Sequence, residues 1–162
     1  IGPAGEELGA SEYMNVMEKV STGTPPELDL DMEYNVQNFC REAIRSGLVR
    51  SAHDCSEGGL AVALAECCLS HSGSIGASVD LPFEVRHPIS ALFGETQSRI
   101  IISVEKSGVD AFMNFCENHR IPCVQMGNVT QEPVLSVSIL GKEHIRLGLD
   151  EMYKNWARGV LS

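Results

Sequence analysis

Ala52-His53-Asp54-Cys55-Ser56-Glu57-Gly58-Gly59-Leu60 decides the reading of this chain. A short strand runs into a polar turn, two glycines close the turn, and an apolar helical pattern begins at once. Working outward, Val49 to Asp54 reads as the strand and Gly59 to His71 as the helix, with a predicted buried stripe of Leu60, Ala63, Leu64, Cys67 and Cys68. Backbone N–H groups at a fresh helix N-terminus attract anions, and glycines let a ligand approach the main chain. The turn is therefore the first place to look for a phosphorylated ligand. The plainer reading is that Asp54 and Ser56 cap the helix, a role worth about 1 kcal/mol that needs no ligand. Glu57 favours the helix dipole but repels a phosphate, so an anion here needs magnesium or a base from a neighbouring domain. His53 at the strand end reads either as a general base or as a hydrogen-bonded structural histidine.

Upstream, Val36, Phe39, Cys40, Ala43 and Ile44 recur at helical spacing, with Asp29 or Asp31 as N-cap and Gly47 as stop. Residues 1–30 are rich in Gly, Pro and Glu, with one short helix between Ser11 and Val20, and read as a linker or the tail of a preceding domain. Residues 31–162 form the domain proper. Downstream, Ile75 to Leu81 alternates as a half-buried strand, and a loop bounded by Pro82 and Pro88 follows. Ile100 to Val104 is an apolar run resembling a central strand, so Glu95, Thr96, Gln97 and Arg99 stand at a strand entrance; Arg99 either clamps an anion or pairs with Glu95 across the turn. A third helix over Val109 to Cys116 ends near His119. Two strands, Cys123 to Val129 and Val134 to Leu140, flank a turn at Gln131-Glu132-Pro133. The last helix, Asp150 to Leu161, carries Met152, Tyr153, Trp156 and Val160, and the Met and aromatic residues at helical spacing read as core. The expected fold is α+β, a three-layer α/β/α arrangement with a mostly antiparallel sheet, partly ferredoxin-like.

The chain has 162 residues, 43% hydrophobic, enough for one ordinary core plus an appendage. Twenty-two acidic and 12 basic residues give a net charge of −10, which argues against nucleic acid or an anionic membrane as partner. Residues 1–34 hold eight acids and a single base, Lys19. Six cysteines without C-x-x-C spacing read as buried thiols of a reducing cytosol. No apolar run reaches the roughly 18 residues of a membrane span. The start at Ile1 has neither an initiator Met nor a basic signal region, which reads as a segment of something longer. Neither a G-x-G-x-x-G nor a Walker motif is present, so no nucleotide site is expected within this chain alone.

His53-Asp54-Cys55-Ser56-Glu57-Gly58-Gly59-Leu60-Ala61-Val62-Ala63-Leu64-Ala65-Glu66, followed by Leu92-Phe93-Gly94-Glu95-Thr96-Gln97-Ser98-Arg99, resembles the C-terminal domain of phosphoribosylformylglycinamidine synthase. The wider family is that of aminoimidazole ribotide synthetase, whose members share the Asp-x-Ser-x-Gly-Gly turn. The leader Leu8-Gly9-Ala10-Ser11-Glu12-Tyr13 fits the synthase too, with Ala10 where the family pattern has glycine. The resemblance implies an ATP- and glutamine-dependent amidotransferase that converts formylglycinamide ribonucleotide to its amidine in de novo purine synthesis. ATP phosphorylates the amide oxygen, ammonia from glutamine displaces phosphate, and ADP, phosphate and glutamate leave.

It further implies that ATP and Mg2+ are held by N-terminal ATP-binding domains of the same polypeptide, that this segment alone binds neither, and that catalytic residues and metal ligands lie elsewhere. Partners would be a glutaminase and a small subunit in a short-form enzyme, which the end at Ser162 favours, with a homodimer as a further expectation. The cleft candidates it leaves in this chain are Asp54, Ser56, Glu57, Gly58, Gly59, Glu95, Thr96, Gln97 and Arg99, facing either the active site or an auxiliary one. Thr96 keeps the hydroxyl of the family's Ser, and Cys55 stands where an aliphatic residue is commoner. The alternatives are another superfamily member, of aminoimidazole ribotide synthetase, selenophosphate synthetase or thiamine-phosphate kinase type, or a non-catalytic ligand-sensing domain.

Overall fold

A computed structural model describes residues 1–69 and 75–160. In chain order the elements are helices α1 (Glu12–Met17) and α2 (Leu30–Arg45), strand β1 (Ser51–Asp54), α3 (Gly59–Cys68), β2 (Gly76–Leu81), α4 (Pro88–Phe93), β3 (Ile100–Ser103), α5 (Val109–Asn118), β4 (Gly127–Thr130), β5 (Val134–Ile139), β6 (Lys142–Gly148) and α6 (Leu149–Val160). They fall into two compact units, Ile1–Ala63 with Ile89–Val124, and the described residues of Leu64–Pro88 with Gln125–Ser162. The α+β class is as the sequence pattern predicts. Among the described residues three of the four strand pairings are antiparallel, and the strands are shared between a two-stranded and a four-stranded sheet.

In the first unit, α2 starts where Asp29 accepts a hydrogen bond from Met32 N at 2.9 Å, and Asp31 and Glu33 add charge to its first turn. It stops at Gly47, φ +72, where Gly47 N bonds Ile44 O at 3.0 Å and Leu48 N bonds Ala43 O at 3.1 Å. That is the Schellman pattern, which needs a left-handed residue at this position. Val36, Phe39 and Ala43 bury one face of α2 against Phe112 and Cys116 of α5 and against Ile121. Ile44, predicted on that face, is 49% exposed. Within this core Cys116 is desolvated and lies beside Cys123, which pushes its thiol up to about 12.

Helix α5 ends with the same motif, Arg120 N to Glu117 O at 3.0 Å and Ile121 N to Cys116 O at 2.9 Å, but the left-handed position, φ 56, is held by Arg120. A Cβ there costs about 1–2 kcal/mol, part of which glycine returns through its freer unfolded chain. Arg120→Gly is therefore expected to raise stability by about 0.5–1 kcal/mol in urea titration; an unchanged or lowered midpoint would contradict this reading of the cap.

Strand β1 pairs antiparallel with β3, Asp54 standing opposite Ile100. The sequence expectation of a central strand at Ile100 to Val104 is corrected: among the described residues β3 has β1 on one side and on the other Ile1 alone, whose N-terminal nitrogen donates to Ile100 O at 2.9 Å and whose carbonyl accepts Ile100 N at 3.0 Å. All four β3 residues are half-buried. The N-terminal residues are thus packed along this unit, and Gly2 N continues the line to Pro122 O at 2.9 Å.

In the second unit the order is β4-β2-β5-β6, with β2 and β5 parallel. Leu135, Val137 and Ile139 of β5 are buried in strict alternation with Ser136 and Ser138. Val79 and Leu81 of β2 and Leu149 and Met152 of α6 are buried as well. The two strands on either side of Gln131-Glu132-Pro133 do not pair with each other, because both pair with β2. Strand β6, unforeseen, follows a two-residue turn at Leu140 (φ 49) and Gly141 (φ 76), whose Gly141 N donates to Asp80 Oδ1 at 3.0 Å. Two aromatic expectations fail: Tyr153 is 54% and Trp156 40% exposed. In α3 the buried residues are Ala61, Ala63, Leu64 and Cys68, with Leu60 and Cys67 half-buried. The predicted end of that helix, Ser70 and His71, and Leu161 of the last one lie outside the described residues.

Candidate functional site

Because Asp54 closes β1 opposite the first residue of β3, the turn that leaves β1 and the loop that enters β3 come to the same edge of the small sheet. Cys55 N extends the pairing to Arg99 O at 2.9 Å. The two sequence motifs are brought together in this way, although about 40 residues apart in the chain.

The contact between them is made by backbone. Gly58 (φ +77) and Gly59 (φ +64) are buried, and a Cβ on Gly59 would lie 2.4 Å from Gly94 O and 2.9 Å from Phe93 C. Glycine is needed here twice over, for the left-handed turn and for the close approach. Glu95 then accepts Gly58 N on Oε1 at 2.8 Å, and the same oxygen accepts Glu12 N at 2.9 Å. Its own backbone N–H donates to Glu7 O at 3.2 Å.

The leader supplies a third side. Thr96 Oγ1 donates to Glu7 Oε2, and Gly5 lies so close to Thr96 that a Cβ on it would overlap the threonine side chain. Arg99 donates to Thr96 O at 3.0 Å through Nε and to Gly94 O through Nη2. The expected Arg99–Glu95 pair is therefore corrected: the guanidinium serves loop carbonyls, and the carboxylate serves N–H groups. Ser98 Oγ donates to Glu33 Oε2 at 2.6 Å, and Gln97 Oε1 is buried without a hydrogen-bond partner.

Asp54, Ser56 and Glu57 are exposed on the outer side of the turn. Ser56 Oγ donates to Asp54 Oδ2, while Gly59 N turns back to Ser56 O at 3.0 Å. The carboxylate of Glu95 accepts the Gly58 N–H immediately ahead of α3. His53 Nδ1 lies 2.7 Å from Asp54 O. Glu7 and Glu12 join this cluster without being sequence candidates; the leader motif Leu8 to Tyr13 contains Glu12 but stops short of Glu7. Buried Cys55 has its thiol pushed up by desolvation, opposed by Arg99.

Two carboxyls are held below the ordinary range. For Glu7 the Thr96 hydroxyl is the largest cause, partly offset by burial; for Asp54 it is the Ser56 hydroxyl. A depressed folded-state pKa contributes stability above the unfolded value, near pH 4, that is lost as pH falls through the folded value. Glu7→Gln is expected to flatten the loss of urea midpoint between about pH 5 and pH 2; an acid profile as steep as that of the wild type would refute a native-state tie between Glu7 and Thr96.

Arg99 Nε and Nη2 serve the carbonyls of Thr96 and Gly94, and the Gly58 N–H is taken by Glu95. Among the described residues no group of three or more His, Cys, Asp or Glu is placed to hold a metal, and no helix is long and apolar enough to cross a membrane.

Such a fold, with its glycine turn docked on a Gly-Glu-Thr-Gln loop, is that of an α+β domain with known relatives. Residues 1–139 match the family described as AIR synthase related protein, C-terminal domain, and the chain belongs to it. Over 168 aligned residues it is 39% identical to phosphoribosylformylglycinamidine synthase subunit PurL of Anaeromyxobacter sp. (strain K), covering 99% of this chain and 21% of that protein. Against the same subunit of Anaeromyxobacter dehalogenans (strain 2CP-1) it is 44% identical, with the same coverage. The chain thus spans about a fifth of the curated relatives it matches. Among solved structures, T. maritima PurL complexed with FGAR superposes with a TM-score of 0.70 at 22% identity, covering 82% of this chain and 22% of that one. T. maritima PurL complexed with ATP gives 0.68 at 20% identity, covering 91% and 24%. These likenesses establish the fold.

Proposed function

We propose that this chain is the C-terminal domain of the ATP- and glutamine-dependent amidotransferase that converts formylglycinamide ribonucleotide to formylglycinamidine ribonucleotide in purine biosynthesis. Alignment with PurL subunits over 99% of the chain supports that reading over other superfamily members and over a ligand-sensing module. The domain forms one wall of a cleft, and the ATP-handling wall belongs to other domains of the polypeptide. Residues 1–30 lead from those domains and 31–162 form the C-terminal domain. The observation that carries this reading is the occupied turn: Gly58 N and Arg99, the donors that a phosphate would use, already serve Glu95 and the loop carbonyls.

With those donors engaged, the turn does not fit the phosphates of ATP on its own, and no chemical step is assigned to these residues. Asp54, Ser56, Glu57 and Gln97 are the cleft-side candidates, presenting carboxylates, a hydroxyl and a carboxamide to donors brought by substrate or by the facing domain. One solved relative is described as PurLQS, which supports a glutaminase and a small subunit as partners. A cytoplasmic location and a homodimer complete the proposal.

Calorimetry separates this reading from a self-contained binding site. Neither formylglycinamide ribonucleotide nor ADP is expected to give binding heat with the isolated chain, whereas the ATP-handling part of the synthase should associate with it. Tight binding of either nucleotide to the chain alone would overturn the proposal.

A further inference from the structure

We propose that Glu95 is a positioning residue, an internal anion that ties the Asp54–Gly59 turn, the leader at Glu12 and the Glu95–Arg99 loop into one geometry, and not a group that contacts a ligand. This deepens the reading of the turn as a cleft wall by stating what fixes the wall and what an incoming anion would have to displace.

Three observations converge. A single oxygen, Oε1, accepts from Gly58 N at 2.8 Å and from Glu12 N at 2.9 Å, two segments that lie 37 and 83 residues from Glu95 in the chain. The Gly58 N–H needs a partner, being buried in a left-handed turn outside any ladder, and the Glu12 N–H, at the exposed first position of α1, is not served by the Ser11 cap, which takes Met14 N at 3.4 Å. The loop that presents Glu95 is itself fixed, Gly94 by its contact with Gly59, Thr96 by Glu7, and the carbonyls of Gly94 and Thr96 by Arg99. A carboxylate accepting two N–H bonds is a charge-assisted tie, stronger than two neutral bonds. It also fills the position at the glycine turn that an outside anion would take.

The test is made on the whole chain by NMR. In the wild type, through-hydrogen-bond coupling is expected from both Gly58 N and Glu12 N to the Glu95 carboxylate carbon, and inorganic phosphate should move neither amide. In Glu95→Ala both amides should exchange with solvent about tenfold faster or more, since a bond to a charged acceptor is worth about 1.5–3 kcal/mol and 1.4 kcal/mol is a factor of ten. In Glu95→Gln, whose amide oxygen still accepts, both should stay slower than in the alanine variant. Absence of both couplings in the wild type, independent behaviour of the two amides, or a phosphate-induced shift at Gly58 would overturn the proposal. The wild-type coupling decides the matter even if Glu95→Ala does not fold. No nucleotide or partner enters the experiment, so its failure leaves the amidotransferase reading standing, and a failure of that reading leaves the tie testable.

Discussion

Replacing Gly59 by alanine is expected to cost about 2–5 kcal/mol, a large share of the roughly 5–15 kcal/mol that holds a domain folded. Two penalties add. At φ +64 a Cβ costs about 1–2 kcal/mol in the backbone. That Cβ would also stand 2.4 Å from Gly94 O, 2.9 Å from Phe93 C and 3.1 Å from Leu92 O, all main-chain atoms that no rotamer change can move aside. The second penalty has the size of overpacking, about 1–3 kcal/mol. Gly47→Ala is the control in the same unit: its φ is +72, and nothing lies within 4 Å of its would-be Cβ. It should lose only the backbone part. Urea midpoints of the two variants measure the difference, and equal losses would show that the turn and the Gly94 loop are not in contact.

Phe39→Ala should cost about as much, 3–5 kcal/mol, by leaving a cavity at the centre of the first unit. Phe39 is 2% exposed, and its ring meets Phe112 at 6.0 Å edge-on and Phe115 at 5.1 Å. Truncation therefore removes both the buried area and two ring pairs worth about 0.5–1.5 kcal/mol each beyond area burial. Tyr34, five residues earlier on the same helix and 68% exposed, gives the comparison: Tyr34→Ala should stay within about 0.5 kcal/mol of wild type. Thermal unfolding of the pair checks this. A loss under about 1 kcal/mol at Phe39 would mean that α2 does not pack on α5 as described.

What the sequence reveals and conceals follows from how local each cause is. The cap at Asp29, the stop at Gly47 and the strand from Val134 are written in neighbouring residues, and all three are found. Strand β6 is concealed because Lys142, Glu143 and Arg146 make an exposed edge without apolar alternation, and because Leu140-Gly141 turns the chain without the usual Asn or Asp. Helix α4 has only six residues and follows a proline loop. Tyr153 and Trp156 have helical spacing, but spacing alone does not say whether a neighbour covers that face.

The site shows the same division. Asp54, Gly58, Gly59 and Glu95 stand out in two motifs of the sequence, and the meeting of those motifs is a consequence of strand pairing at Asp54 and Ile100. Which partner each side chain takes is not legible, because it depends on where the leader lands. Glu95 and Arg99, four residues apart and opposite in charge, look like a pair until the Gly58 and Glu12 N–H groups and the Gly94 and Thr96 carbonyls are placed beside them. The acidic leader, read from composition as a tail, supplies Glu7 and the Glu12 N–H to the wall.

The most direct measurement is ATP-dependent formation of formylglycinamidine ribonucleotide, with ammonia as nitrogen donor, by three samples: the full polypeptide that carries this chain, the same polypeptide lacking it, and the 162-residue chain alone. Turnover is expected from the first and from neither of the others. Turnover by the isolated chain, or undiminished turnover by the polypeptide without it, would contradict the assignment of this domain as one indispensable wall of a shared cleft.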